Sequence, residues 1–202
     1  MSRAVDYKLD VENTNVTTYA KGIRRTRLFN SLSLLFPVGE RFFIDSIRYY
    51  EDKLTPELLE EAKLFYKEEG VHSREHRKLN NLLKEAGYDV DSLEQSVKRK
   101  LALVGTTPEN ALLTTVCLEI FTAYGAELLV ALRNGLLRNN SASNMWMWHA
   151  GEEMGDGHRS IAHKVLDHVS GVSKVRLVFW FIICTVLLLV QTAENYHELS
   201  KI

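Results

Sequence analysis

A chain of 202 residues, 46% hydrophobic and 25% charged, is long enough for one domain with a sizeable core. Its formal net charge of -1 excludes a general nucleic-acid binder, which carries a basic face. Eleven glycines and three prolines leave long uninterrupted stretches and exclude a fold of many short strands; two cysteines are too few for a disulfide framework.

Residues 1–20 are polar and β-branched without helical periodicity, and read as a flexible N-terminal arm. Residues Met1 to Asp10 show no basic start followed by an apolar run, so no signal peptide is read there and cytoplasmic residence is expected. Cys117 and Cys184, in apolar helical text, fit buried thiols in a reducing compartment. Arg24, Arg25 and Arg27 precede Phe29, Leu32, Leu34, Leu35 and Phe36, a pattern that fits a solvated approach to the first helix or a contact with anionic lipid.

Pro37 opens the first core helix, expected to run to about Asp52. Thr55-Pro56-Glu57 combines a hydroxyl cap, a proline at the first position and an acid facing the dipole, and starts a helix expected to end at Gly87. A mostly polar, peripheral helix follows near 91–104, and Thr107-Pro108-Glu109 repeats the start signal for a long helix to about Arg133. Another helix is expected from about Ser141 toward Ser170, weakened in its middle by Gly151, Gly155 and Gly157. The last begins near Ser173 and holds the uncharged run Leu177 to Val190. That run is shorter than the roughly 20 residues of a spanning helix, yet it lacks a polar face. Burial in the protein, burial in a homodimer, or contact with a membrane surface each fits it. The organisation read from these signals is a 1–20 arm, a 21–172 metal-binding bundle and a 173–202 apolar helix.

The acids and histidines sit inside the apolar stripes. Phe65, Glu69, His72, His76, Leu79 and Leu83 recur at steps of three and four, so Glu69 and His72 form a Glu-x-x-His pair facing the core. Glu40 stands in the stripe Phe36, Phe43, Ile47, and Glu119 in the stripe Leu112, Val116, Ala123, Ala126. Any one such acid is ordinarily a boundary residue that snorkels or pairs. Several facing one core call for a compensating cation, because an unpaired buried charge is strongly disfavoured. Helical bundles solve this with a single Glu from each of two helices and Glu-x-x-His from each of two others. Glu40 and Glu119 match the single acids. The fourth contribution falls in Trp148-His149-Ala150-Gly151-Glu152-Glu153-Met154-Gly155-Asp156-Gly157-His158. There Glu153 is the expected ligand, and His158 or alternatively Asp156 takes the last place. A straight helix aligns Asp156 and His149 with Glu153, whereas a π-bulge at Gly155 and Gly157 would rotate His158 inward. His76 and His149 are candidates for a catalytic role or for orienting a ligand, and Glu127 is either an outlying acid of the site or a surface residue.

The same residues resemble a known family, the bacterial proteins catalogued as predicted metal-dependent hydrolases. The resemblance rests on Phe36-Pro37-Val38-Gly39-Glu40-Arg41-Phe42-Phe43 and on Glu69-Gly70-Val71-His72-Ser73-Arg74-Glu75-His76-Arg77-Lys78-Leu79-Asn80. It continues through Thr115-Val116-Cys117-Leu118-Glu119-Ile120-Phe121-Thr122 and Trp148-His149-Ala150-Gly151-Glu152-Glu153, over about residues 36–165. The family pattern reads Trp-His-x-x-Glu-Glu-x-Glu-His; here two extra residues separate Glu153 from the aligned His158. The resemblance implies an all-α fold, a ferritin-like four-helix bundle with additional peripheral and C-terminal apolar helices. It is also similar in the C-terminal apolar helix, which implies a lipid-adjacent role at the inner membrane.

Two metal ions are expected as the cofactor, iron first, with manganese or zinc also fitting the carboxylate-rich set. The leading expectation is an oxygen-activating di-iron oxidase or oxygenase acting on an organic or lipid-like substrate, an oxidoreductase. The alternative is a hydrolase using a metal-activated water, and the second alternative a non-catalytic metal-binding bundle.

Overall fold

The computed structural model describes residues 7–201, apart from the side chains of residues 156–159. In order, the helices are α1 (Ile23–Ser33), α2 (Phe36–Arg48), α3 (Pro56–Glu85), α4 (Val90–Val104), α5 (Pro108–Leu136), α6 (Ser141–Glu153), α7 (Asp156–Val169) and α8 (Lys174–Leu199). The fold is all-α, as the patterning implies.

Side-chain caps set most of the starts. The Thr55 hydroxyl accepts from Leu58 N at 3.3 Å, with Pro56 in the first turn, and Thr107 accepts from Asn110 N at 3.1 Å ahead of α5. Asp89, Asn140 and Ser173 do the same for α4, α6 and α8. Beyond α3 the chain turns at Gly87, whose φ of 95° only glycine adopts without strain.

Three expectations are corrected. The basic segment is itself a helix, α1, which buries Phe29 and Asn30 and packs along α8. The helix expected from Ser141 to Ser170 is two helices, because the chain is extended at Gly155 (φ -65°, ψ 132°). A Cβ there would stand 3.0 Å from the Glu152 carbonyl, so glycine permits the close return and no π-bulge carries the helix through. Residues 7–20, expected as a flexible arm, are fastened to the helices. Leu9, Val16, Tyr19 and Ala20 are buried, the Tyr7 hydroxyl donates to Ser141 O at 2.7 Å, and Asn30 Nδ2 donates to Val16 O at 2.7 Å.

Helix α2 lies along α3, α3 along α6, α6 along α5, and α5 along α2, closing a four-sided ring that α7 extends beside α3 and α5. Two apolar clusters fill it. One gathers Phe29, Leu79, Leu83, Ala126, Leu129, Met145 and Trp146; the other gathers Phe43, Ile47, Phe65, Leu112, Val116, Ile161 and Val165. Between them on α3 lie Glu69, His72 and His76, each fully buried.

Helix α8 packs with one face only. Arg176 bonds Glu109 and Asn110, Trp180 Nε1 donates to Thr114 at 2.9 Å, and Asn195 Nδ2 donates to Ser31 O at 2.9 Å. Its outer face shows Val178 (61% exposed), Ile182, Val186 and Leu189. The run 177–190 is therefore half on the protein and half on its surroundings. Helices α5 and α8 are both long and apolar enough to cross a membrane, by length and composition only.

Glu75 ties the N-terminal segment down. Its buried carboxylate accepts from Leu9 N at 2.8 Å, Arg74 Nε at 2.7 Å and Lys78 Nζ at 2.9 Å. Burial raises this carboxyl, but the Leu9 N–H and then Lys78 and Arg74 outweigh it and hold it below its ordinary value of 4.5. A lowered acid stabilises the fold above the unfolded value and loses that contribution as pH falls through the folded one. Glu75→Ala should lower stability by about 1–3 kcal/mol at neutral pH, since Leu9 N is left buried without its acceptor. In pH-resolved melting, the gap to the wild type should narrow as pH falls below the ordinary carboxyl value of 4.5. A gap of the same size at every pH would show that packing rather than charge holds the segment.

Candidate metal centre

Three helices bring five ligand-type side chains together at the level between the two apolar clusters. Glu40 comes from α2, Glu69 and His72 from α3, and His149 and Glu153 from α6. All are buried, from 0% exposed for Glu69 and His72 to 5% for Glu153. They form two trios that share one imidazole, Glu40 with His72 and His149, and Glu69 with His72 and Glu153; the ligand atoms of each lie within 4.8 Å of one another. Two atoms each about 2.1 Å from one ion stand about 3 Å apart at right angles and about 4 Å apart when opposed. The contacts fall in that range: His149 Nε2 to Glu153 Oε1 2.9 Å, His72 Nδ1 to Glu153 Oε1 3.7 Å, His72 Nδ1 to Glu69 Oε1 4.0 Å and His149 Nε2 to Glu40 Oε1 4.0 Å. The donor set, acids with imidazoles in a dry core, suits divalent first-row ions.

The network behind the histidines assigns their protons. Asn80 Nδ2 donates to the Ser33 carbonyl at 3.2 Å, which can only accept, so Asn80 Oδ1 faces the Ser33 hydroxyl. Ser33 therefore donates its one proton to Asn80 Oδ1, at 2.8 Å, and its oxygen accepts from His76 Nδ1 at 3.0 Å. The lone pair of neutral His76 then lies on Nε2 and accepts from His149 Nδ1 at 2.7 Å. In a neutral His149 ring the lone pair then lies on Nε2, 2.9 Å from the Glu153 carboxylate. Two acceptors at that distance repel unless a proton or a metal cation lies between them.

His76 stays neutral in this position. Burial pushes it well below its ordinary value of 6.5, the neighbouring His149 pushes the same way, and Glu153 opposes them. Aromatic rings fix the orientations: Phe36 stacks on His76 at 4.4 Å and meets His149 edge-on at 4.6 Å, while Trp148 meets His72 edge-on at 5.1 Å.

Of the residues singled out by patterning, Glu40, Glu69, His72 and Glu153 stand in the trios. Glu119 is buried on α5, 2% exposed, but belongs to neither trio. The side chains of His158 and its alternative Asp156 lie outside the described residues. His149, read from sequence only as a catalytic or orienting candidate, stands in a trio, and its signal was the i, i+4 step to Glu153. Ser33 was not picked out, and Asn80 appeared only as the last residue of a block that carries the family resemblance. Glu127, on the outer part of α5, is exposed.

The chain matches the sequence model of a family described as predicted metal-dependent hydrolase over residues 2–201, and it belongs to that family. No curated protein and no solved structure matches it. Membership establishes metal dependence at the level of the family and overturns the leading expectation of an oxygen-activating oxidase or oxygenase. The description names hydrolysis, so the oxidoreductase class gives way to the hydrolase alternative.

His72 stands in both trios, and a neutral imidazole has one lone pair to give to an ion; His72→Ala, Glu40→Ala and Glu69→Ala should therefore each lower the bound metal, which elemental analysis of the purified variants measures. Ser33→Ala removes the acceptor behind His76 and should weaken metal affinity about 10–100-fold with all candidate ligands intact. Unchanged affinity in the serine variant would mean that the relay does not orient His149.

Proposed function

We propose that this member of the family is a two-metal hydrolase that cleaves an ester or phosphoester bond with a metal-activated water. The observation that carries the reading is the pair of acid–imidazole trios sharing His72 in a buried layer. Glu40, Glu69, His72, His149 and Glu153 hold the ions in this reading, with Glu119 and His158 or Asp156 as further ligands. Iron is the proposed metal, with manganese or zinc as the other candidates for such a donor set. The ligand arrangement, drawn from several helices of one ring, is ferritin-like in this proposal. A cytoplasmic site at the inner membrane surface is proposed with it, supported by the exposed apolar face of α8.

When bound, the two ions lower the pKa of a water molecule and polarise the bond to be cut. The protein's own part is positional. His149 and Glu153 present their nitrogen and oxygen at 2.9 Å, and the Ser33–His76 relay keeps the His149 lone pair aimed at the site. The apolar clusters on either side exclude bulk water, which strengthens each charge interaction within the layer. In the overall reaction one water adds across the bond: its oxygen goes to the acyl carbon or phosphorus, one proton to the departing oxygen, and one proton to solvent.

The reading is tested by stripping the metals with a chelator and reloading with iron(II), manganese or zinc under anaerobic conditions. p-Nitrophenyl acetate and bis(p-nitrophenyl) phosphate are the substrates. Turnover of one of these should return with the metal and proceed without oxygen. Failure of every reloaded form on both substrates, with two ions per chain confirmed, would overturn it.

A further inference from the structure

A cavity of about 510 Å³ joins the metal layer to the outside of the molecule. Its inner end is formed by Glu40, His149 and Glu153, and its outer end by Leu128 of α5 and Leu189 of α8. Between them the walls are almost wholly aliphatic and aromatic, contributed by α1, α2, α4, α5, α6 and α8. The size is that of a cavity which encloses a small organic ligand. A reactive polar end and a long dry bore select a substrate of the same shape, a polar cleavable group carrying an apolar chain.

Two further observations agree. Gly125 lines the bore in the middle of α5, where a glycine costs helix stability, and a Cβ built there meets nothing within 4 Å. Gly125 is exposed, so it lines the outer part of the bore, where a larger side chain has room to project. At the outer end, Leu128 is 59% and Leu189 63% exposed, and Leu189 continues the apolar row Val178, Ile182, Val186 along α8. The mouth opens on an apolar face rather than on a polar rim. Lys100 also lines the bore, bonded to Gln191 Oε1 at 2.8 Å and paired with Glu194. A chain entering there leaves apolar surroundings and meets apolar walls throughout, while a polar substrate would be desolvated along the whole path.

We propose that the cavity binds the hydrocarbon chain of an acyl amphiphile, with the chain running toward Leu128 and Leu189 and the acyl group at Glu40, His149 and Glu153. That the amphiphile is the substrate rests on the hydrolase reading above; that the bore holds a chain does not. Hydrolysis then consumes one water per acyl ester and gives a fatty acid and an alcohol.

Binding is measured on the full, metal-loaded chain by displacement of the fluorescent fatty acid cis-parinaric acid with lauric acid, and hydrolysis with p-nitrophenyl laurate. The wild type should bind one chain per protein. Gly125→Leu, which fills the bore and favours the helix, should weaken binding at least about ten-fold while metal content and melting temperature hold. Ala126→Phe on the same wall serves as the second blocking variant. If the chain binds and no ester is cut, the hydrolase reading fails and the chain site stands. If the acetate ester is cut while the fatty acids do not bind, or bind equally to both blocked variants, the chain site is overturned. The source is resolved by presenting the same labelled acyl chain in phosphatidylglycerol vesicles and as dispersed monomer. Slower uptake by Ile182→Asp from vesicles alone identifies the bilayer as donor; equal uptake from both forms identifies the dispersed amphiphile.

Discussion

The arrangement depends on burying acids and imidazoles together in one layer of the helical core. Glu40, Glu69, Glu119 and Glu153 are at most 5% exposed, and the side chains above and below them are Phe, Leu, Val and Ile. Burying four carboxyl groups in such surroundings is among the most unfavourable things a small fold can do, and positive charge placed among them offsets it. Among the described residues, Arg74 and Lys78 are paired with Glu75, and Arg176 with Glu109. A cation bound in this layer would act thermodynamically as well as chemically, because metal affinity and folding are linked through the same residues.

The layer is held from behind by groups that stand in neither trio. Asn80 settles the Ser33 hydroxyl, Ser33 settles His76, and His76 settles His149. Each step is a neutral hydrogen bond of modest net value, yet together they remove every alternative tautomer but one. Phe36 stiffens the same chain by packing on both imidazoles. The geometry is consequently present before any ligand arrives, the condition under which electrostatic groups act without reorganising.

Much of this was legible in the one-dimensional pattern, for reasons that can be named. The stripe Phe65, Glu69, His72, His76, Leu79, Leu83 reads directly because a straight helix of 30 residues keeps its period, and every member is buried. Thr55-Pro56 and Thr107-Pro108 read directly because capping is local chemistry. What failed was non-local. Residues 7–20 carry no periodicity, and their order comes from partners 66 to 134 positions away, Glu75 and Ser141. Ser33 and Asn80 are unremarkable letters until tertiary packing brings them together across 47 positions. The break at Gly155 was misread because a glycine inside a helical pattern is compatible with a weak helix, a bulge or a stop, and periodicity alone does not choose.

That break also sets an electrostatic direction. Helix α6 stops at Glu153, so its final turn, which carries His149 and Glu153, ends at the metal layer instead of running past it. The last carbonyls of a helix carry its negative macrodipole end, worth about half an elementary charge. Had the chain stayed helical through residue 155, those carbonyls would be consumed in further hydrogen bonds and their field moved away along the axis. Because α7 begins at Asp156, the break also sets a positive helix end beside that negative one, so it brings both backbone poles to the edge of the layer.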